Sequence, residues 1–390
     1  MSRSLRVIHI LRAPVGGLFR HVRDLAIAQS AAGHSVGVVA DASTGDRLTD
    51  QRLDQLAPAL ALGLHRVAMS RDLGVRDVTA TFAIARILSG VGATIVHGHG
   101  AKGGAYARLA SRLIGGSARP RAFYTPHGGS LHYAPSSLKG RVYMALERSL
   151  APWTEGVVFE SAYSARLFHE RIAAPGLRSR VVPNGVSLGE FEPVITSSTA
   201  TEFLFVGELR LLKGVDCLID AIAAIRAAGH GVTATIVGDG PDRAQFIAQA
   251  QALGLGETVK FPGAMPARQA FALGRVLIVP SRAESFPYIV LEGAAAGLPL
   301  IATNVGGIPE IIAGTDHPLV RPGDVAGLAR AMQTALDDLK RGGAMLQNEA
   351  QRLRAVVKKN FTIQTMAGAI GVFYLDTQPA TVVAAMELTH

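Results

Sequence analysis

The sequence predicts an α/β protein built from two doubly wound domains, each with a parallel sheet covered by helices. Short apolar runs rich in β-branched residues alternate with helical patterns along the 390 residues, which is typical of parallel strands buried on both faces. These runs fall into two sets, and a break in the pattern separates them. The length also suits two domains of ordinary size.

The predicted strands place the domain boundary. The first set is Arg6–Leu11, Ser35–Ala40, Thr94–His97, Ala122–Tyr124, Gly156–Phe159 and Arg180–Val182. The second set is Glu202–Val206, Thr233–Val237, Thr258–Phe261, Arg275–Val279, Leu300–Thr303 and His317–Val320. Between them, Ser187–Thr201 contains Glu192-Pro193 and a Ser/Thr-rich stretch that interrupt both patterns. We predict an N-terminal domain over 1–190, a C-terminal domain over 200–360 and a last helix near 361–375.

Composition narrows the class of protein. The single cysteine, Cys217, excludes an intrachain disulfide and fits a reducing compartment. It lies in a helical pattern, which predicts a buried structural thiol. The sequence has no CxxC pair, so we predict no structural zinc.

Val7–Leu11 is too short for the apolar core of a signal peptide, and no apolar stretch is long enough to span a membrane. We therefore predict a cytoplasmic protein.

Positive charge is concentrated in the first half of the chain. The net charge is +9, and residues 101–150 hold eight basic residues and a single acid, Glu147. This pattern predicts an N-terminal domain that approaches an anionic surface or substrate, with a merely solvated basic face as the alternative. An anionic membrane surface is one such partner, since anionic lipid attracts each nearby Lys or Arg by about 1 kcal/mol. Nucleic acid is not, because basic residues are not interleaved with surface aromatics.

Two glutamates with seven residues between them are the most informative motif. Glu284–Glu292 follows an apolar strand, and Pro287 suits the start of a helix because its missing N–H costs nothing there. Glu284 would then lie at the carboxyl end of a strand, where open α/β sheets bind ligands. The helix N-terminus favours an anion, whereas the carboxylates suit the hydroxyls of a sugar or ribose.

Glycine-rich turns after predicted strands add to this motif. In Gly207–Gly214, Lys213 could place a positive charge on a diphosphate. Gly16 and Gly17 permit close approach of backbone to a ligand, although taken alone they indicate only a tight turn. Gly238 begins a second tight turn that leads into a helix.

Histidines follow two strands of the first set. His97 and His99 alternate with glycines, which favours a loop, and a metal site there lacks a third ligand at usable spacing. An acceptor-side role and a plain glycine-rich connection are equally open for this loop. His127 follows the next strand and could hydrogen-bond a sugar or stabilise developing charge, although a lone histidine is more often structural.

Together these motifs resemble the retaining glycosyltransferases of family 4, which have the GT-B fold. The likeness continues through Gly293–Thr303 and Gly306–Glu310, and Val206–Gly214 and Val182–Val186 extend it upstream. It implies two Rossmann-like domains with a cleft between them and a last helix that returns to the N-terminal domain. The implied reaction moves a sugar, without a metal, from a nucleotide-diphosphate sugar such as a UDP-sugar to an acceptor hydroxyl. The implied acceptor is a lipid-linked or anionic glycan, as in polysaccharide or lipopolysaccharide assembly at the inner face of the membrane.

The resemblance also implies roles for single residues. His127, Glu284 and Lys213 are expected to act in catalysis. Expected donor contacts are Gly16, Gly17, Gly207, Arg210, Lys213, Gly238, Met265, Glu284, Ser285, Phe286, Tyr288, Ile289 and Glu292. Expected acceptor contacts are His99, Lys102 and His132. No cofactor and no metal are expected besides the donor.

Two positions depart from the family pattern. Glu208 replaces the basic residue that usually follows the first glycine, and Arg210 is its natural replacement if the loop turns inward. Pro287 stands where glycine is common, so it removes one backbone donor. These departures keep open one alternative, a non-catalytic nucleotide-sugar-binding protein. A second alternative, a nucleotide-sugar 2-epimerase, stays open because the same fold hosts that activity.

Overall fold

The computed structural model describes residues 4–44, 47–128, 136–172 and 174–376. The chain divides into two compact units. The first contains residues up to Asn184 and from Ile363 onward, and the second contains Gly185–Thr362. Each unit has one fully parallel sheet among its described strands, with helices between consecutive strands. The predicted α/β, doubly wound class is therefore confirmed.

The sheet of the first unit has the order β3-β2-β1-β4-β5-β6-β7. Its strands are β1 (Arg6–Leu11), β2 (Ser35–Asp41), β3 (Leu64–Val67), β4 (Ile95–His99), β5 (Arg121–Thr125), β6 (Gly156–Phe159) and β7 (Ser179–Val181). Between them lie α1 (Gly16–Ala31), α2 (Arg47–Leu56), α3 (Arg76–Gly90), α4 (Gly100–Leu113), α5 (Leu138–Leu150) and α6 (Ala162–Ile172). Strand β3 was not predicted, because His65 and Arg66 interrupt its apolar pattern. It lies at the edge of the sheet and is only partly buried.

The sheet of the second unit has the order β10-β9-β8-β11-β12-β13. Its strands are β8 (Thr201–Val206), β9 (Ala234–Val237), β10 (Val259–Gly263), β11 (Gly274–Val279), β12 (Leu300–Thr303) and β13 (Leu319–Val320). Its helices are α7 (Val215–Ala227), α8 (Arg243–Ala252), α9 (Ala267–Ala270), α10 (Tyr288–Ala296), α11 (Ile308–Ile312), α12 (Val325–Lys340) and α13 (Ala344–Asn360). Apolar clusters fill both faces of this sheet, as the buried strands require.

The last described helix, α14 (Ile363–Leu375), belongs to the first unit. Its buried residues Met366, Ile370 and Phe373 pack in one apolar cluster with Leu25 of α1 and with strand residues such as Phe123. α1 and α14 therefore cover the same face of the first sheet.

The loop predicted directly after His97 is wrong, because β4 continues through Gly98 to His99. Its register pairs His9 of β1 with His97, so alternation along β4 places His97 and His99 on one face of the sheet. A Cβ atom at Gly98 would collide with the backbone of Gly103 in α4. The alternating glycines therefore mark close packing of a helix on the other face, which the sequence pattern did not distinguish from a loop.

Candidate active site

In the second unit, the loops after β8, β9 and β11 approach one another at glycines. Gly214 has φ +70°, and a Cβ atom there would collide with the carbonyl of Pro280. Gly238 has φ +148°, and a Cβ atom would collide with the carbonyl of Gly207. The two predicted glycines, Gly207 and Gly238, thus lie in contact at the carboxyl ends of neighbouring strands. These close approaches fix the backbone at the edge of the sheet where this fold class binds ligands.

Lys213 and Glu284 meet at this edge. Lys213 Nζ donates to Glu284 Oε1 over 2.7 Å, and Ser281 Oγ donates to the same oxygen over 2.7 Å. The Glu284 side chain is only 9% exposed, whereas that of Lys213 is 27% exposed. Both contacts use Oε1, so Oε2 keeps its lone pairs for a hydroxyl. The sequence pointed to Lys213 and Glu284 separately, and the structure brings them together.

Arg282 holds the loop that carries Lys213. Its guanidinium forms a two-pronged ion pair with Asp216, at 2.7 and 2.6 Å, and it also donates to the carbonyl of Leu211. The Arg282 amide donates to the carbonyl of Leu212 over 2.8 Å. Its hydrogen bonds with Asp216 raise the pKa of Arg282. Sequence reasoning missed Arg282, whose only signal was a basic residue beside Glu284.

Arg210, which we expected to replace the basic residue missing at Glu208, is exposed to solvent. Arg210 contacts Glu208 at 3.7 Å, and the two side chains are 52% and 54% exposed. An ion pair this exposed contributes little to stability. In this arrangement Glu208 neutralises Arg210, and Arg210 is not brought to the contact between Lys213 and Glu284.

The N-terminus of α10 follows Pro287, which is its capping residue. Tyr288 and Ile289 are the first two helical residues, and N–H groups at this position have no partner within a helix. The Phe286 side chain is buried, and its ring packs edge-on against Phe361 at 5.5 Å. The Phe286 side chain therefore serves the core rather than a ligand.

The remaining residues of the motif are held by a second loop. The carbonyl of Ser285 accepts from the amide of Gly307 over 2.7 Å. Gly306 has φ +58°, and a Cβ atom there would collide with the carbonyl of Glu284. Glu292 is half-buried on α10, one turn beyond its start. The two carboxylates of the motif are thus placed by separate elements, a loop and a helix.

Met265 follows β10, the strand next to β9. Gly263 ends β10 with φ +91°, and Met265 packs partly buried against the apolar cluster that includes Phe271. Because this side chain is engaged in packing, a contact to a nucleotide base through the backbone of the segment stays a prediction.

In the first unit, His127 follows β5 in a strained conformation. Its φ of +49° makes it the one non-glycine residue of the described chain with positive φ. His127 Nδ1 lies 2.8 Å from Glu160 Oε1, and Nε2 lies 3.1 Å from His99 Nδ1. Burial acts to raise the pKa of Glu160, but the charge and hydrogen bond of His127 outweigh it and lower that pKa. The imidazole is therefore fixed through both nitrogens.

A chain of buried histidines continues behind His127. His99 Nε2 lies 3.0 Å from His9 Nδ1, and His9 Nε2 lies 2.8 Å from Gln29 Oε1 on α1. Burial lowers the pKa of His9 to about 4 and that of His99 well below its ordinary value. Both rings are therefore neutral near pH 7.

His97 and His21 border this chain. His97 contacts Tyr374 Oη at 2.6 Å and Thr125 Oγ1 at 2.8 Å. His21 Nδ1 lies 2.9 Å from Asn184 Oδ1, and burial lowers the pKa of His21 to about 3. One nitrogen from each of His9, His97 and His99 forms a set with metal-ligand spacing, as does one from each of His21, His99 and His127.

The third histidine that sequence spacing did not offer to His97 and His99 comes from β1, which places His9 beside them. Sequence reasoning missed His9 and His21, since the strands and helix that bring them together lie far apart in the chain. The one available signal was His9, a polar residue inside an apolar strand. That the enzyme needs no metal stays a prediction.

The other predicted donor and acceptor contacts of the first unit differ in their burial and in their partners. Gly16 opens α1 with φ +62°, followed by Gly17. Lys102 forms an ion pair with Asp77 at 2.7 Å and is only 11% exposed, so its charge is already neutralised within the unit. His99 is buried in the histidine chain. His132 lies outside the described residues.

Comparison with known proteins covers most of the chain. Residues 15–190 match the family described as Glycosyltransferase Family 4, and residues 200–338 match Glycosyl transferases group 1. The chain is 30% identical over 393 residues to "Glycogen synthase" of Mycobacterium tuberculosis, with 93% of this chain and 91% of that protein covered. It is 28% identical over 252 residues to "2-deoxystreptamine glucosyltransferase" of Streptomyces kanamyceticus, with 58% and 65% covered.

Solved structures show the same fold. Anabaena Alr3699/HepE, solved in complex with UDP-glucose, matches with a TM-score of 0.76 at 20% identity, covering 94% of this chain and 98% of that one. WaaG, a glycosyltransferase involved in lipopolysaccharide biosynthesis, matches with a TM-score of 0.69 at 20% identity, with 94% and 98% covered. No helix in the described parts of the chain is long and apolar enough to cross a membrane. The chain belongs to the family 4 glycosyltransferases and has their GT-B fold.

Proposed function

We propose that this glycosyltransferase transfers a sugar from a nucleotide-diphosphate sugar with retention of anomeric configuration and without a metal. The single observation that carries the proposal is the 2.7 Å contact between Lys213 and Glu284. It joins a cation suited to a diphosphate and a carboxylate suited to sugar hydroxyls at the carboxyl ends of adjacent strands, β8 and β11. Sequence similarity to known glycosyltransferases over most of the chain favours transfer over the epimerase and binding-protein alternatives.

Retention through a covalent intermediate on Glu284 is disfavoured by its contacts. Oε1 already accepts from both Lys213 and Ser281, and these contacts reduce the charge available for attack on carbon. Front-side attack by the acceptor hydroxyl, with its proton passing to the departing diphosphate, is the alternative that retains configuration. Lys213 and the first amides of α10 would then stabilise the developing negative charge.

In the same proposal, His127 of the first unit contacts the transferred sugar. Its ring is held between Glu160 and His99, so its orientation is set before a ligand arrives. The hydrogen bond between Nδ1 and Glu160 also polarises the ring, which helps His127 to stabilise charge that develops near the anomeric carbon.

Slow hydrolysis of the donor tests the stereochemistry without a known acceptor. Proton NMR of an α-linked nucleotide sugar incubated with enzyme should show the α-anomer of the free sugar first, before mutarotation. The β-anomer appearing first would contradict retention. EDTA should not lower the initial rate, and loss of activity that added Mg²⁺ or Mn²⁺ restores would contradict metal independence. Lys213→Met, treated in parallel, controls for contaminating hydrolases.

We further propose that the exposed face of α5 binds an anionic membrane and that the acceptor is lipid-linked. Leu138, Val142 and Leu146 recur every fourth residue, which places them in one stripe, and they are 77%, 43% and 37% exposed. The exposed basic residues Lys139 and Arg141 flank this stripe. Apolar and basic residues on one exposed helical face are typical of segments that lie in a membrane interface.

Sedimentation with vesicles tests the surface proposal. Binding should require anionic lipid and weaken at high salt, and replacing Lys139 and Arg141 with serine should cost about 1 kcal/mol each. Val142→Ser should weaken binding as well, whereas Leu253→Ser, which removes an exposed leucine of the second unit, should not. Equal binding to neutral vesicles, or none at all, would overturn the proposal.

A further inference from the structure

We propose that His21, His99 and His127 form a binding site for a divalent transition metal ion such as Zn²⁺, and that the bound ion inhibits the enzyme. The site itself stands on the geometry of the first unit. Its inhibitory effect rests on the proposed contact between His127 and the transferred sugar.

The three rings converge on one place. One nitrogen from each lies within 4.8 Å of the nitrogens of the other two, and His99 Nδ1 lies 3.1 Å from His127 Nε2. Tetrahedral coordination at the usual Zn–N distance separates ligand nitrogens by about 3.4 Å. Small movements of the rings would therefore complete a three-histidine site, with a fourth position left for water or substrate.

Hydrogen bonds on the far side of each ring leave a lone pair pointing inward. Glu160 accepts from His127 Nδ1 and Asn184 Oδ1 accepts from His21 Nδ1, so both Nε2 atoms carry lone pairs. His21 Nε2 is buried without a hydrogen-bond partner among the described residues. Such outer contacts orient and polarise histidine ligands in metal sites.

The third ring, His99, is oriented through two successive hydrogen bonds. Gln29 Oε1 accepts from His9 Nε2, so His9 Nδ1 accepts from His99 Nε2. The lone pair of His99 Nδ1 then faces that of His127 Nε2 at 3.1 Å. Either a proton on His127 Nε2, which donates to His99 Nδ1, or a metal ion can occupy the space between these two nitrogens. A metal ion satisfies this pair and the unpartnered His21 nitrogen together, whereas a proton satisfies only the pair.

The second possible set, His9, His97 and His99, is less suited to a metal. Both nitrogens of His97 already contact hydroxyl groups, those of Tyr374 and Thr125. All three members of that set are fully buried, which leaves little access for an ion or a fourth ligand. Among the five clustered histidines, His127 is the least enclosed, which favours the set that contains it.

Metal titration of the intact enzyme tests the site directly. Co²⁺ added to metal-free protein should produce visible ligand-field absorption that saturates at one equivalent and disappears on addition of Zn²⁺. Imidazole ligands suit both ions. The absence of a stoichiometric Co²⁺ or Zn²⁺ complex with wild-type protein would overturn the proposal, and this outcome does not depend on the activity or on any variant.

Variants assign the ligands. His21→Gln should abolish stoichiometric binding, and Asn184→Ala, which removes only the outer contact, should weaken it 10- to 100-fold. His169→Gln replaces an exposed histidine of the same unit and should bind like wild type. Circular dichroism and thermal melting check that each variant is folded. Wild-type affinity in folded His21→Gln, or its loss in His97→Gln alone, would overturn the assigned set.

Inhibition is measured by donor hydrolysis with and without Zn²⁺. The wild-type rate should fall on addition of one equivalent and recover with EDTA, whereas the ratio of the two rates should stay near one in His21→Gln. Stoichiometric binding without inhibition would overturn the inhibitory role and leave the site. Failure of donor hydrolysis in metal-free wild type would instead count against the proposed function.

Discussion

Replacement of Lys213 by methionine tests the central contact of the second unit. The substitution leaves the Glu284 carboxylate, whose side chain is 9% exposed, with Ser281 as its remaining contact. Breaking a buried ion pair costs about 3–5 kcal/mol. Because the Lys213 side chain is 27% exposed, water replaces part of the lost interaction, and we expect a loss of about 2 kcal/mol.

A double-mutant cycle separates this contact from general damage. The loss should be read from urea-dependent hydrogen exchange of peptides that cover β8 and β11, because the two units need not unfold together. Glu284→Gln removes the negative charge that Lys213→Met would otherwise leave unpaired. Lys213→Met should therefore lower the free energy of unfolding by less in the Glu284→Gln protein than in wild type. We expect a coupling energy of about 1–2 kcal/mol, whereas independent sites add within about 0.5 kcal/mol. Additivity would refute the reasoning, and Lys340→Met, on the exposed end of α12, serves as the control.

Three further predictions concern other parts of the chain. Gly214→Ala forces a Cβ atom onto the Pro280 carbonyl and should lower donor turnover more than it lowers the melting temperature. Glu147→Gln leaves the Arg108 charge, paired at 2.9 Å and 1% exposed, uncompensated, so chemical denaturation should show a loss of about 3–5 kcal/mol. Burial lowers the pKa of His317 below 6.5, so the unfolded chain binds more protons and stability falls as pH drops below 6.5. His317→Gln should reduce that dependence in unfolding measured between about pH 7 and 5, and the part that remains comes from other buried histidines such as His9 and His21.

Much of the fold could be predicted, because buried parallel strands appear in the sequence as apolar runs. Strand Leu300–Thr303 matches its prediction at both ends, and Cys217 is buried, as its helical pattern predicted. The pattern failed where a strand lacks a buried face, as at Leu64–Val67. It also failed at His97–Gly98–His99, where glycine serves helix packing rather than a turn.

The candidate site was predictable only where it is local in sequence. Lys213 and Glu284 stand in recognisable motifs, but their mutual contact depends on Arg282 and on glycines in separate loops. The histidine cluster could not be foreseen, because His9 and His21 join it through strand order and helix packing rather than through spacing.

Ligand-dependent stability is the measurement that tests the account most directly. Thermal unfolding should be followed against a panel of UDP-, GDP- and ADP-sugars for wild type, Lys213→Ala, Glu292→Ala and the control Lys340→Ala. A donor at 100 times its Kd should stabilise the protein by about 2.7 kcal/mol. We predict stabilisation by one sugar nucleotide in wild type and the control, weakened in the other two variants. No stabilisation by any donor, or equal stabilisation in all four proteins, would contradict the proposed donor site.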